Sequence, residues 1–259
     1  MTAQPKQGPV SIEPIAGLPM VRPGDDIAAM ILRALADSDV ELRSGDILVV
    51  AQKIVSKAEG QLVRLDQVEP SAEARALAAE TEKEPELVEL LLRESTEVVR
   101  RKPGVMIMRH RLGIVGANAG IDRSNIEHDD GEMALLLPLD PDASAAALRE
   151  AIRVATGVNV GIIISDSMNR PWRLGTTGQA IGCAGITVID DRRGGYDTYG
   201  RELKVTMINR VDAIAAMATL LMGETDERTP VALVRGFAPE DSTQRAADII
   251  RPLDEDLFR

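Results

Sequence analysis

Residues Ser165–Gly185 read SDSMNRPWRLGTTGQAIGCAG, directly after the apolar run Val160–Ile164. That run is predicted as a buried strand of about five residues, which delivers Asp166 and Ser167 to its polar end. A carboxylate beside a hydroxyl can ligate a hard cation. Arg170 and Arg173 flank the single tryptophan, Trp172, and can grip anions. Gly175, Gly178, Gly182 and Gly185 would let the backbone approach a ligand closely. The plain alternative is a glycine-rich turn carrying an exposed salt bridge. The density of chemistry-bearing side chains favours a site.

The rest of the chain narrows what that site can do. Its 259 residues suffice for one large domain or two small ones with a real core. The hydrophobic fraction is an ordinary 44%. The aromatics are few (Trp172, Tyr196, Tyr199, Phe237 and Phe258), so the core is aliphatic and platforms for stacking bases are scarce. A formal net charge of -11 argues against nucleic acid or an anionic membrane surface as a partner, so any anionic ligand must be bound locally. The one cysteine, Cys183, excludes an internal disulfide and a multi-thiolate metal site; between Gly182 and Ala184 it reads as a small packing residue. Two histidines, His110 and His128, lack zinc-hydrolase spacing, which leaves oxygen-based metal chemistry. The N-terminal MTAQPKQGPV has no apolar core of a signal peptide, and no run approaches the ~18 apolar residues of a membrane span. A soluble, cytoplasmic protein is expected.

Outward from the central stretch, helices and strands alternate without repeats. Asp25–Leu35 is predicted as a helix and Asp46–Ala51 as a strand. Across the polar segment Ser71–Arg101, Ala74, Leu77, Ala78, Leu87, Leu90, Leu91 and Val98 recur near helical spacing, which predicts a helical pair and a peripheral lobe over about 71–101. Val105–Met108 and Gly113–Val115 suggest a hairpin. Asp142 and Ser144 are capping candidates for a helix bearing Ala145, Leu148, Ile152 and Ala155 on one face. A second helix carries Val211, Ile214, Ala215, Ala218 and Met222 and ends at Gly223, with Glu224 just beyond; Val231–Val234 is a short strand. The hairpin-like spacings predict a mixed α+β chain with largely antiparallel sheets, read as a single domain spanning 1–259.

No phosphate-binding loop and no dinucleotide fingerprint occurs in the sequence, so a bound nucleotide needs an unusual site. Three segments offer oxygen ligands: Asp122 in AGIDRSN, Asp166 with Ser167, and Glu224. Together they could hold divalent cations that bridge phosphates.

Seven segments, in order, resemble the coenzyme F420-0:gamma-glutamyl ligase family: PIAGLP (Pro14–Pro19), VVAQKIVSKAEG (Val49–Gly60), GANAGIDRSNI (Gly116–Ile126), LLLPLDPDASA (Leu135–Ala145), ISDSMNRPWRLGTTGQAIGCAG (Ile164–Gly185), GYDTYGREL (Gly195–Leu203) and LLMGE (Leu220–Glu224). The resemblance covers nearly the whole chain and is to the stand-alone form, without a C-terminal flavin reductase-like domain. It implies a family-specific ligase fold, a two-lobed subunit and an intertwined homodimer. It also implies an acid–amine ligase that uses GTP and divalent metal, Mg2+ or Mn2+ at two sites with K+ as a further candidate. Such an enzyme attaches L-glutamate to the tail carboxylate of coenzyme F420-0 and can repeat the step by gamma linkage. An acyl phosphate would activate the carboxylate, and gathering several anions at one point would be the main catalytic problem.

Carried over by position, Asp122 and Asp166 match the ligands of one metal, and Ser167 and Glu224 those of the second. Leu18, Pro19, Met20, Val21, Gln52, Lys53, Lys57 and Asn125 match positions lining the GTP site, as does the loop Met222, Gly223, Glu224, Thr225, Asp226, Glu227, Arg228 and Thr229. Lys57 is expected to clamp phosphate from the end of a short strand. Asp122, Asp166 and Arg170 are the expected catalytic groups, and Arg170, Arg173, Arg192, Arg193 and Tyr196 are candidates for contacting the coenzyme. Where the family usually has glycine, in D-x-x-G-R-P-W-R, this chain has Asn169, a residue that tolerates positive φ better than most. Two competing readings use the same residues: a metal-dependent phosphoesterase, and a non-catalytic deazaflavin or nucleotide carrier.

Overall fold

The computed structural model describes residues 9–128, 131–169 and 171–257. Strand β1 (Ser11–Ile15) is followed by helix α1 (Ile27–Asp37), β2 (Ile47–Ala51), α2 (Gln52–Ala58) and β3 (Leu62–Arg64). Helices α3 (Ala72–Thr81) and α4 (Pro85–Arg93) lead to β4 (Ser95–Lys102), β5 (Val105–His110), β6 (Val115–Ala117) and β7 (Met133–Leu135). The second half holds α5 (Pro141–Thr156), β8 (Gly161–Asn169), β9 (Thr176–Ala184), β10 (Ile189–Asp191), β11 (Met207–Asn209), α6 (Arg210–Met222) and β12 (Val231–Arg235).

The central sheet runs β1-β12-β2-β8-β9. Its inner strands β2, β12 and β8 are rich in Val, Ile and Leu because both faces are covered. On β2 the alternation divides the core: Leu48 and Val50 join Ile31, Ile152 and Ile164 on the side of α1 and α5, while Ile47 and Val49 join Ile163, Ile214 and Ala218 on the side of α6. Smaller sheets pair β4-β5-β6, β3-β7 and β10-β11. Among the described residues β2–β8 is the one parallel pairing, so the expected mixed, largely antiparallel architecture holds.

Helices α3 and α4 form as expected and pack with Met106 and Met108 of β5 in a third apolar cluster. The helical reading fails beyond Arg93, where Ser95–Lys102 is a strand in which Val98 pairs with Met108. β-Branched residues and a half-exposed sheet face outweighed a spacing that only coincidentally continued the helix. Helix α5 is capped by Asp140, not by Asp142 or Ser144. The Asp142 carboxylate instead accepts from the backbone amides of Cys183 and Ala246, both at 2.8 Å, and clips the C-terminal segment to β9.

Within the glycine-rich stretch, Thr176–Ala184 pairs with β8. It is strand β9, and two of its glycines serve packing: a Cβ on Gly178 would lie 2.1 Å from Thr219 Oγ1, and one on Gly182 2.3 Å from the Pro141 carbonyl oxygen. Helices α6 and α5 thus approach the strand too closely for any side chain there. Asn169 ends β8 in extended pairing with Thr176; among the described residues of the connecting turn, positive φ falls on Trp172, at 66°, and on Gly175, at 90°.

Candidate functional site

The register of the central sheet gathers the candidate segments. Ile15 lies opposite Val231, Val231 opposite Val50, and Val50 beside Ile164, all in one row. Just past that row the chain leaves β1 toward Leu18–Val21, leaves β2 into α2, enters β12 from the loop after α6, and continues along β8 to Asp166 and Ser167. The carboxyl ends of parallel strands are where open sheets leave a crevice. The parallel pair β2–β8 delivers the candidate residues to such an end of the sheet.

Helix α2 supplies most of the polar contacts. It follows β2 with no break and no side-chain cap, so four side chains at positions 52, 53, 56 and 57 project from a single short helix. Gln52 Nε2 donates to Asp122 Oδ2 at 2.7 Å, and Lys53 Nζ pairs with the same oxygen at 2.6 Å. Lys57 is therefore aimed by a helix, not by the strand end expected of it, and its Nζ donates to the Asn125 carbonyl at 2.7 Å. Asn125, at φ of 56°, donates through Nδ2 to the Thr225 carbonyl at 3.1 Å. The segment carrying Asp122 and Asn125 is thereby tied to both α2 and the loop after α6.

Asp166 and Ser167 stand opposite Gln179 and Gly178 of β9. Asp166 Oδ1 accepts from the Ser167 amide at 2.8 Å, and the Ser167 hydroxyl donates to Glu224. The Asp166 residue surface is only half-buried, but its carboxyl group is desolvated. Burial, with the Asp122 carboxylate as the next cause, pushes its pKa up to about 7; Lys53 and the Ser167 amide oppose the rise, and Glu224 adds to it. Burial also lowers the pKa of Lys57, reinforced by Lys53 and opposed by Glu127 and Asp122.

The loop after α6 is closed on itself. Thr229 Oγ1 donates to the Met222 carbonyl at 2.9 Å, and Glu227 accepts from the Thr225 amide at 2.8 Å. Gly223 is the C-cap of α6, Arg228 has φ of 54°, and Asp226 is exposed. Of the first segment, Pro19 and Met20 are exposed while Leu18 and Val21 pack on the core.

The structure thus brings Gln52, Lys53, Lys57, Asp122, Asn125, Asp166, Ser167 and Glu224 together by contact or electrostatic proximity, and Leu18–Val21 and Thr225–Thr229 by position on the same sheet end. Arg170 lies outside the described residues. Arg192 and Arg193 are paired with their own neighbours Asp190 and Asp191. Arg173 and Tyr196 are exposed beyond the sheet. Sequence reasoning missed Ser56, which is fully buried and donates to Gln52 Oε1 at 2.9 Å; its spacing of four from Gln52 becomes a signal only once the segment is seen to be a helix.

Among the described residues no three of His, Cys, Asp and Glu form a closed metal cluster. The candidate oxygen ligands instead stand as two pairs, Asp122 with Asp166 by electrostatic influence and Ser167 with Glu224 by a hydrogen bond. Open pairs fit magnesium-like ions, which keep water and substrate phosphate among their ligands and take only one or two carboxylates from protein.

A family model described as F420-0:Gamma-glutamyl ligase matches residues 17–236. A Methanopyrus kandleri protein named coenzyme F420:L-glutamate ligase is 45% identical over 252 residues, covering 96% of this chain and 97% of its own. Proteins of the same name from Methanothermobacter thermautotrophicus and Archaeoglobus fulgidus are each 43% identical over 252 residues, covering 96% of this chain and 99% and 96% of their own.

Proposed function

Because the chain belongs to the F420-0:gamma-glutamyl ligase family and is a ligase by that membership, we propose that it joins the amine of L-glutamate to the tail carboxylate of coenzyme F420-0 at the expense of GTP. Further gamma-linked glutamates follow by the same step. The observation that carries this reading is the crowding of Asp122 and Glu224 around a desolvated Asp166, with Lys53 and Lys57 alongside. Carboxylates held so that one of them resists ionisation are poised for positive charge.

Asp122 with Asp166, and Ser167 with Glu224, would hold two divalent ions, Mg2+ or Mn2+. Such ions supply neutralisation of the nucleotide phosphates. The protein's own groups do the rest. Lys57 exchanges its bond to the Asn125 carbonyl for a phosphate oxygen, and the closed loop at 222–229 with the segment at 18–21 walls the nucleotide. The acceptor carboxylate then takes the terminal phosphoryl group, and the glutamate amine displaces phosphate from the acyl phosphate to form the amide.

GDP release measured with and without acceptor tests the mechanism. The expected outcome is GDP formation only when the coenzyme acid is present. GDP release at an equal rate without it, or free phosphate from the coenzyme without GTP, would favour a phosphoesterase.

A further inference from the structure

Gln52 matches a nucleotide-lining position, yet its side chain is turned inward. The residue is 1% exposed, and both ends of its amide are engaged within the protein. The direction of those bonds is fixed by chemistry. Asp122 has only acceptor oxygens to offer, so the end of the amide facing it must be the NH2 group. Oε1 then faces Ser56, whose hydroxyl must donate. Ser56 is fully buried, and a buried serine in a helix would otherwise donate to the carbonyl four residues back, which here is that of Gln52 itself. Its proton goes to the side chain instead. Both Gln52 and Lys53 converge on Asp122 Oδ2.

We propose that Ser56 and Gln52 are positioning residues: Ser56 locks the Gln52 amide so that it pins one oxygen of Asp122 and turns the other toward the cleft. The relay reaches from the buried side of α2 to the cleft through two hydrogen bonds of 2.9 and 2.7 Å. It rests on the proposed role of Asp122 as a metal ligand. Partners that orient a ligating group commonly contribute about 10-fold or more to metal affinity or activity.

The test uses the full chain with Ser56→Ala and, separately, Gln52→Met. The second variant removes the donor to Asp122 while leaving Ser56 its backbone carbonyl as an alternative partner, so it remains informative if the first fails to fold. Mn2+ alone is titrated and followed by electron paramagnetic resonance, and ligase kinetics are measured well below each variant's melting temperature. The expected result is a loss of about 10-fold in Mn2+ affinity and a similar fall in kcat, with the KM for glutamate unchanged. A merely structural role would lower the melting temperature and move neither Mn2+ affinity nor kcat. Wild-type Mn2+ affinity and kcat in a folded variant would overturn the proposal. Should the wild type itself bind no Mn2+, the metal reading fails, and the relay stands or falls on the change in kcat alone.

Discussion

Cys183 illustrates how one residue's chemistry is set by what surrounds it. Its thiol is buried between β9 and the C-terminal segment, and burial, followed by the carboxylates of Asp142 and Asp248, pushes its pKa up to about 12 from an ordinary value of 9.0. A thiol so disposed is inert, because the thiolate is the reactive form. Native protein at pH 8 should resist iodoacetamide, whereas unfolded protein should react at once; alkylation of the native form at the unfolded rate would contradict this. The linkage has a definite sign. The folded state holds the proton more tightly than the unfolded one, so this group leaves stability unaffected below about pH 9 and costs stability progressively as pH rises from about 9 toward 12. Its place as a packing residue was legible from Gly182 and Ala184 on either side. Ser56 was not legible in the same way. In QKIVSKA a serine between apolar and basic residues carries no mark of its role until the helix places it one turn from Gln52.

Elements were read well wherever periodicity acted alone. The helices α1, α5 and α6 and the strands β2 and β12 fall within a few residues of their expected places. The misreadings came where local composition and tertiary packing pull apart. Glycine is depleted in strands, so TTGQAIGCAG gives no strand signal, and its glycines were read as room for a ligand; in β9 two of them instead make room for α5 and α6. Helix α2 was hidden because it begins directly after the last residue of β2, and its seven residues are too few to display a helical period. The packing account predicts that Gly182→Ala destabilises the protein by about 1–3 kcal/mol, since its Cβ would meet the Pro141 backbone and overpacking carries a cost of that order. Urea denaturation checks the value. A variant as stable as the wild type would show that α5 can shift away from β9 freely.

At the scale of the whole molecule, no helix among the described residues is long and apolar enough to cross a membrane. The surface nevertheless carries large apolar side chains at the β8–β9 turn and in the segment between β10 and β11: Trp172 is 88% exposed, and Leu174, Tyr196, Tyr199 and Val205 are exposed as well. Exposed apolar side chains in such number are what a subunit interface covers. Sedimentation at micromolar concentration should therefore give the mass of a homodimer; a monomeric mass there would contradict it. Of the candidate site, Asp122, Asp166 with Ser167, and Glu224 stood out by their own chemistry, whereas Gln52, Lys53, Lys57 and Asn125 were indicated only by the family resemblance. How they meet was not legible, since that depends on register across four strands and on the reach of α2 toward Asp122 and Asn125.

The central claim is amide formation with glutamate driven by GTP. It is tested most directly by a mass spectrum of coenzyme F420-0 after incubation with the protein, GTP, Mg2+ and L-glutamate, with Asp166→Asn in parallel. The account predicts a gain of one or more glutamyl residues with the wild type. It predicts none, or a yield lower by about two to three orders of magnitude, with a folded Asp166→Asn, which removes a charge that stabilises phosphoryl transfer. An unchanged coenzyme mass with the wild type, or equal glutamylation by Asp166→Asn, would contradict it.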